Sequence, residues 1–170
     1  MLVNLKKYGF MTKGDILINK PVAEALLKAK ELLPKGYNFK IWDGKRFIND
    51  QRKIVQRWEK VFKKKKPKNW YNLLIRYTGG YEQLKQKDFP YMHHISGNAV
   101  DLTLAKRRKL LDLGGIDFSE KDNLNYYEKK ERLSKKEKEI RDNRRLLKKA
   151  MRKEGFKCYN PEWWHWGHIK

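Results

Sequence analysis

Apolar positions recur along the chain with two periods, and these divide it into helices and strands. Val22, Ala23, Leu26, Leu27, Ala29 and Leu33 recur at helical spacing, which predicts a helix with one apolar face. Asn19 stands at its N-cap, Pro21 lies in its first turn, and Pro34 and Gly36 end it. Tyr37, Phe39 and Ile41 then alternate with polar residues, a strand that leads into Asp43-Gly44. Ile48, Val55, Trp58 and Phe62 fall on one face of a second helix. Residues 98–104 alternate again, with Val100, Leu102 and Leu104 on one side and Ala99, Asp101 and Thr103 on the other. The first set faces a core, so Asp101 points to the opposite face, toward a cleft. Ser134-Lys-Lys-Glu137 has the form of a capping box. It opens a long helix that Gly155 stops, with Ile140, Leu146, Leu147, Ala150 and Met151 as its buried stripe. Residues 156–159 have strand character, and Asn160-Pro161 bends the chain after them. Helices and strands in this order predict an α+β fold: a single domain over residues 1–170, its central antiparallel sheet packed by helices.

Other segments carry weaker patterns. Residues 1–18 read as a short strand or an arm, residues 63–68 as a basic loop, and residues 70–84, around Gly79-Gly80, as a loop over the cleft. A lysine run is usually a solvated surface, and a phosphate contact is the sharper alternative.

Charge and composition narrow the class. The formal net charge is +22, which favours anionic partners such as nucleic acid, anionic membrane or wall polymers. Many of the basic residues lie in helices interleaved with Glu, however, which is the pattern of a solvated surface. No specific nucleic acid is expected, and anionic polymers are expected to make only nonspecific contacts. No apolar run is long enough for a membrane span. Residues 1–20 lack an uninterrupted apolar core and a small-residue cleavage site. The expected compartment is therefore the cytoplasm, with a periplasmic or secreted placement following only from a removed signal. The single Cys158 excludes an internal disulfide. It sits among apolar neighbours on a strand, where a thiol is inert, which argues against a cysteine hydrolase.

Candidate chemistry gathers in two stretches, His94-Ile-Ser-Gly-Asn-Ala-Val-Asp101 and Glu162-Trp-Trp-His165, and all four histidines lie in or beside them. Gly97 permits a sharp turn that folds His94 back beside Asp101. Two imidazoles and a carboxylate make a three-ligand zinc site with one position open for water, and Glu162 is close enough to His165 to act on that water as a general base. Taken singly, a His…Asp pair is as often core or surface as a metal site. Glu162, buried beside a His and three Trp, needs a partner, and a cation supplies one. His93 lacks the spacing to Asp101 that His94 has, so it sits behind the ligands or in solvent.

These residues resemble the zinc D-alanyl-D-alanine dipeptidases of the vancomycin-resistance type. That family's signature, Ser-x-His-x-x-Gly-x-Ala-x-Asp, is followed late in the chain by Glu-x-Trp-His. Here His94, Gly97, Ala99 and Asp101 are in register, then Glu162, Trp164 and His165. Met92 stands where the family has the Ser associated with the substrate's terminal carboxylate. Asp43, Gly44 and Arg46 match an Asp-Gly-Tyr-Arg-Pro-like segment, with Lys45 for the Tyr and Phe47 for the Pro. On its residues alone Arg46 is a surface cation; the resemblance implies that it stabilises the oxyanion formed when the peptide carbonyl is attacked. Leu113-Gly-Gly-Ile-Asp117-Phe118 is similar to the family's Met-Gly-x-x-Phe-Asp, one residue shorter. It implies that Asp117 holds the substrate's amino group, where the residues alone read equally as an Asp in a Gly-rich turn.

The resemblance thus implies one Zn²⁺ per chain on His94, Asp101 and His165, with Glu162 as base. The activity it implies is hydrolysis of D-Ala-D-Ala, a small D-amino-acid peptide of peptidoglycan metabolism. A D,D-carboxypeptidase trimming peptidoglycan stem peptides is the close alternative. A basic, non-catalytic relative that binds nucleic acid or wall polymers is the alternative of another class.

Overall fold

A computed structural model of the chain describes residues 1–90 and 93–169; Met92, where the family's Ser is replaced, lies outside the described residues. Strands β1 (Leu2–Asn4) and β2 (Leu17–Asn19) pair antiparallel as a separate ribbon. Helix α1 (Lys20–Glu31) follows with Asn19 at the N-cap and Pro21 in its first turn. The Asn19 side chain does not cap the helix, however. Its amide donates to the Ser96 carbonyl at 3.1 Å and to Asn98 Oδ1 at 2.7 Å, tying the start of α1 to the turn that carries His94.

Strand β3 (Tyr37–Asp43) leads to helix α2 (Ile48–Lys65). The basic stretch expected as a loop begins inside this helix: Lys63, Lys64 and Lys65 form its last turn, where cations meet the negative end of the helix dipole. Residues 70–84 are not a loop either. They form α3 (Trp70–Thr78) and α4 (Gly80–Gln83), separated by Gly79 in the left-handed region at φ 75°. Val55, Phe62, Leu73 and Leu74 make a small core between α2 and α3.

The remaining elements are β4 (Ala99–Lys106), β5 (Lys109–Leu110), α5 (Lys135–Lys153), β6 (Phe156–Cys158) and β7 (His165–His168). The main sheet is antiparallel in the order β3-β4-β7-β6, with β5 paired to β4. The fold is thus α+β around an antiparallel sheet, as the patterning implies. Val100, Leu102 and Leu104 of β4 and Phe39 and Ile41 of β3 are fully buried in a core shared with Leu26 of α1 and Leu147 and Met151 of α5. The capping box forms in full, Glu137 N–H donating to Ser134 Oγ and Ser134 N–H to Glu137 Oε2.

Candidate active site

Strand pairing assembles the centre. Asp101 of β4 stands opposite Asp43 of β3 on one side and His165 of β7 on the other. Cross-strand partners project from the same face, and His165 Nδ1 lies 2.8 Å from Asp101 Oδ1. His94 reaches the same carboxylate from the 3-10 turn His94–Ser96, with its Nε2 3.2 Å from Asp101 Oδ1. Gly97 closes that turn at φ 77°, a conformation that favours glycine. One ligand atom from each of His94, Asp101 and His165 lies within 4.8 Å of the others.

The imidazole of His94 is oriented for metal binding. Its Nδ1 sits 2.6 Å from the Gly44 carbonyl, which can only accept, so Nδ1 carries the proton and Nε2 presents its lone pair. That Nε2 is buried without a hydrogen-bond partner among the described residues. Gly44 can approach this closely because it lacks a Cβ, which would fall 2.5 Å from the Leu17 carbonyl oxygen. Burial, reinforced by Arg46, pushes the His94 pKa down and keeps the ring neutral. Burial opposes ionisation of Asp101, but the two imidazoles beside it hold its carboxyl well below the usual range. Two imidazoles, that of His94 held neutral, and one anionic carboxylate, with the His94 Nε2 lone pair turned toward the Asp101 carboxylate at 3.2 Å, fit a zinc ion between them.

Arg46 follows β3 and is fixed on three sides. Its Nε donates to Asp43 Oδ2 at 2.8 Å, Nη1 to Gln51 Oε1 at 2.9 Å, and Nη2 reaches Asp101 Oδ2 at 3.4 Å. Gln51 is itself buried and donates to the Thr78 carbonyl at 3.1 Å. Sequence reasoning missed Gln51; its only signal is a polar residue on the apolar stripe of α2, three positions after Ile48 and four before Val55.

Glu162 lies on the turn between β6 and β7. Its N–H donates to the Tyr159 carbonyl at 2.8 Å, and its own carbonyl accepts from His165 N–H at 3.0 Å. Burial pushes its pKa up to about 8, with His165 pulling the other way. Between the ordinary Glu value and about 8, the folded chain binds more protons here than the unfolded chain, so stability falls as pH rises. The stability difference between metal-free wild type and metal-free Glu162→Gln is therefore expected to shift against wild type by about 2 kcal/mol from pH 6.5 to pH 8. Urea titrations of both proteins in chelator check this, and an unchanged difference across that range would contradict it.

The centre opens into a cleft of about 580 Å³. Gln51 and Trp58 of α2, Arg76 and Tyr77 of α3, and Phe118 and Trp164 line its walls. Tyr77 and Phe118 meet edge to face at 5.0 Å, and Tyr77 stacks with Trp164 at 6.4 Å. Buried Asp122 holds this wall together, accepting from Tyr77 Oη and Phe118 N–H, both at 2.9 Å. Ile116 and Phe118 face the cleft, but the exposed Asp117 between them does not line it. Asp117 Oδ1 accepts from Ser119 Oγ and borders a separate surface depression. His93 is half-buried on the cleft wall, and burial beside His94 lowers its pKa to about 4. Cys158 is buried with its thiol pKa pushed up by burial, as an inert core cysteine should be.

Among the described residues no helix is long and apolar enough to cross a membrane. The sequence model of the D-Ala-D-Ala dipeptidase family matches residues 4–170. A D-alanyl-D-alanine dipeptidase of Enterococcus faecium is 32% identical over 156 residues, covering 85% of this chain and 69% of the relative.

Proposed function

The chain belongs to the D-Ala-D-Ala dipeptidase family and is a peptide hydrolase, and from that premise we propose that it cleaves free D-Ala-D-Ala with one Zn²⁺ held by His94, Asp101 and His165. Residues 1–170 then form one peptidase domain. The observation that carries this reading is the convergence of three ligand atoms within 4.8 Å in the lining of the cleft, which the buried Glu162 also lines.

Bound there, Zn²⁺ would act as a Lewis acid on the scissile carbonyl and bring the pKa of a water toward roughly 7. Glu162 takes the proton from the attacking water and passes it to the nitrogen of the leaving amine. Arg46 faces the oxygen on which charge develops. Because Asp43 and Gln51 already fix its guanidinium, it need not reorganise as the charge appears. Replacing Arg46 with Met should lower kcat on the order of 10²–10³-fold while leaving bound zinc unchanged. Single-turnover kinetics and metal analysis of the same sample check both halves. The amino-group role of Asp117 requires its carboxylate to leave Ser119 and turn into the cleft between Ile116 and Phe118.

The test is amine release from D-Ala-D-Ala by the zinc-loaded protein, beside L-Ala-L-Ala and N-acetyl-D-Ala-D-Ala. Turnover of free D-Ala-D-Ala alone supports a dipeptidase. Equal cleavage of the blocked peptide would replace this reading with a carboxypeptidase, and no turnover of any of the three would overturn it.

A further inference from the structure

We propose that Arg76 is the anchor for the terminal carboxylate of the substrate, a specificity-determining residue in the cleft that Arg46 also lines. The proposal rests on the dipeptide reading above, and it comes from a contrast between the two arginines of the cleft. Arg46 has all its edges engaged, by Asp43, Gln51 and Asp101. Arg76 lines the same cleft from α3, yet its Nε is buried with no hydrogen-bond partner among the described residues. Among the described residues its guanidinium has a long contact from Nη2 to the Pro161 carbonyl at 3.5 Å and the Tyr77 ring 5.3 Å away.

A buried guanidinium N–H without an acceptor is unfavourable until something pairs with it. The fork made by Nε and one Nη matches the two oxygens of a carboxylate better than any other common ligand group. A free dipeptide carries one such group, at its C-terminus. Pro161 immediately precedes Glu162, so a carboxylate held at Arg76 sits on the wall that also carries the general base. The Tyr77 ring, 5.3 Å from the guanidinium, covers one side of the pair, and lower local polarity there strengthens it. The terminal carboxylate is unchanged by cleavage of the peptide bond. Its anchor therefore acts equally on bound substrate and transition state, and its loss appears in KM rather than kcat.

The experiment compares D-Ala-D-Ala with its C-terminal amide. Calorimetry on zinc-loaded Glu162→Gln, whose turnover is slowed on the order of 10²–10⁴-fold, should give at least about tenfold tighter binding of the acid than of the amide. Adding Arg76→Met should erase that preference, and Arg76→Lys should keep part of it. In the otherwise unaltered enzyme, Arg76→Met should raise KM for D-Ala-D-Ala by about tenfold with kcat within about twofold. Acid-over-amide preference that survives Arg76→Met, or a fall in kcat at constant KM, would overturn the anchor while the dipeptidase stands. No hydrolysis of D-Ala-D-Ala by the wild type would overturn the dipeptidase and the anchor together.

Discussion

Glu162→Gln is expected to reduce kcat for D-Ala-D-Ala by 10²–10⁴-fold, the usual loss when a positioned general base is removed. The change is nearly isosteric, so the turn that holds the residue should survive: its backbone bonds to Tyr159 and His165 do not involve the side chain. Zinc content should stay at one per chain, because Glu162 is not one of the three clustered ligands. The split between lost rate and retained metal separates a base from a ligand. The sign of the pH effect follows from burial, which pushes the metal-free carboxyl up to about 8. A nearby divalent cation lowers that value by favouring the anion, so zinc loading should restore the ionised form at neutral pH. Near-full activity in Glu162→Gln would remove the residue from the mechanism.

Much of this centre could be read before any fold was known, because its chemistry lies in short segments with strong local signals. The alternation of residues 98–104 fixes which face of β4 Asp101 occupies: both faces are buried, but Val100, Leu102 and Leu104 join the main core while Asp101 lines the cleft. The Ser134–Glu137 box marks the start of α5 to the residue. Three features were not legible, for physical reasons. Helix α3 is nine residues long, too short to repeat its apolar spacing, and the Gly79-Gly80 pair that follows looks like a loop. Strand β7 exists through its pairing with β4 and β6, a long-range event with no signature in His165-Trp-Gly-His168. The polar supports are the third. Gln51 under Arg46 and Asp122 under Tyr77 and Phe118 sit at buried positions of the fold, and so does Arg144 on the buried stripe of α5. Arg144 donates to the carbonyls of Leu113, Lys121 and Asn123. Their partners are backbone and side-chain groups distant in sequence, so periodicity could not point to them. The Asn19 cap fails for a related reason: Ser96 and Asn98, far along the chain, compete for its side chain and win.

The ligand substitutions should have the largest effect of all. His165→Ala is expected to abolish measurable turnover and to lower zinc affinity by well over 100-fold, since even the outer partners of metal ligands are worth ~10–100-fold. The fold should persist. His165 contributes backbone pairing from β7, and that pairing with Asp101 and Cys158's strand does not depend on the imidazole. Asp101 also keeps its contact with Arg46 at 3.4 Å, so its charge is not stranded when one imidazole is removed. Stability linkage then distinguishes a metal ligand from a packing residue without any activity assay. A ligand present at 1,000 times its Kd stabilises the folded state by about 4 kcal/mol, so zinc should raise the denaturation midpoint of wild type and of Glu162→Gln alike. It should shift His165→Ala, His94→Ala and Asp101→Ala far less at the same concentration, by under about 1.4 kcal/mol for a loss of affinity above 100-fold. A zinc-dependent shift of wild-type size in any of these three would remove that residue from the ligand set. It would then leave the unpaired Nε2 of His94 and the 2.8 Å contact between His165 and Asp101 as packing within the sheet.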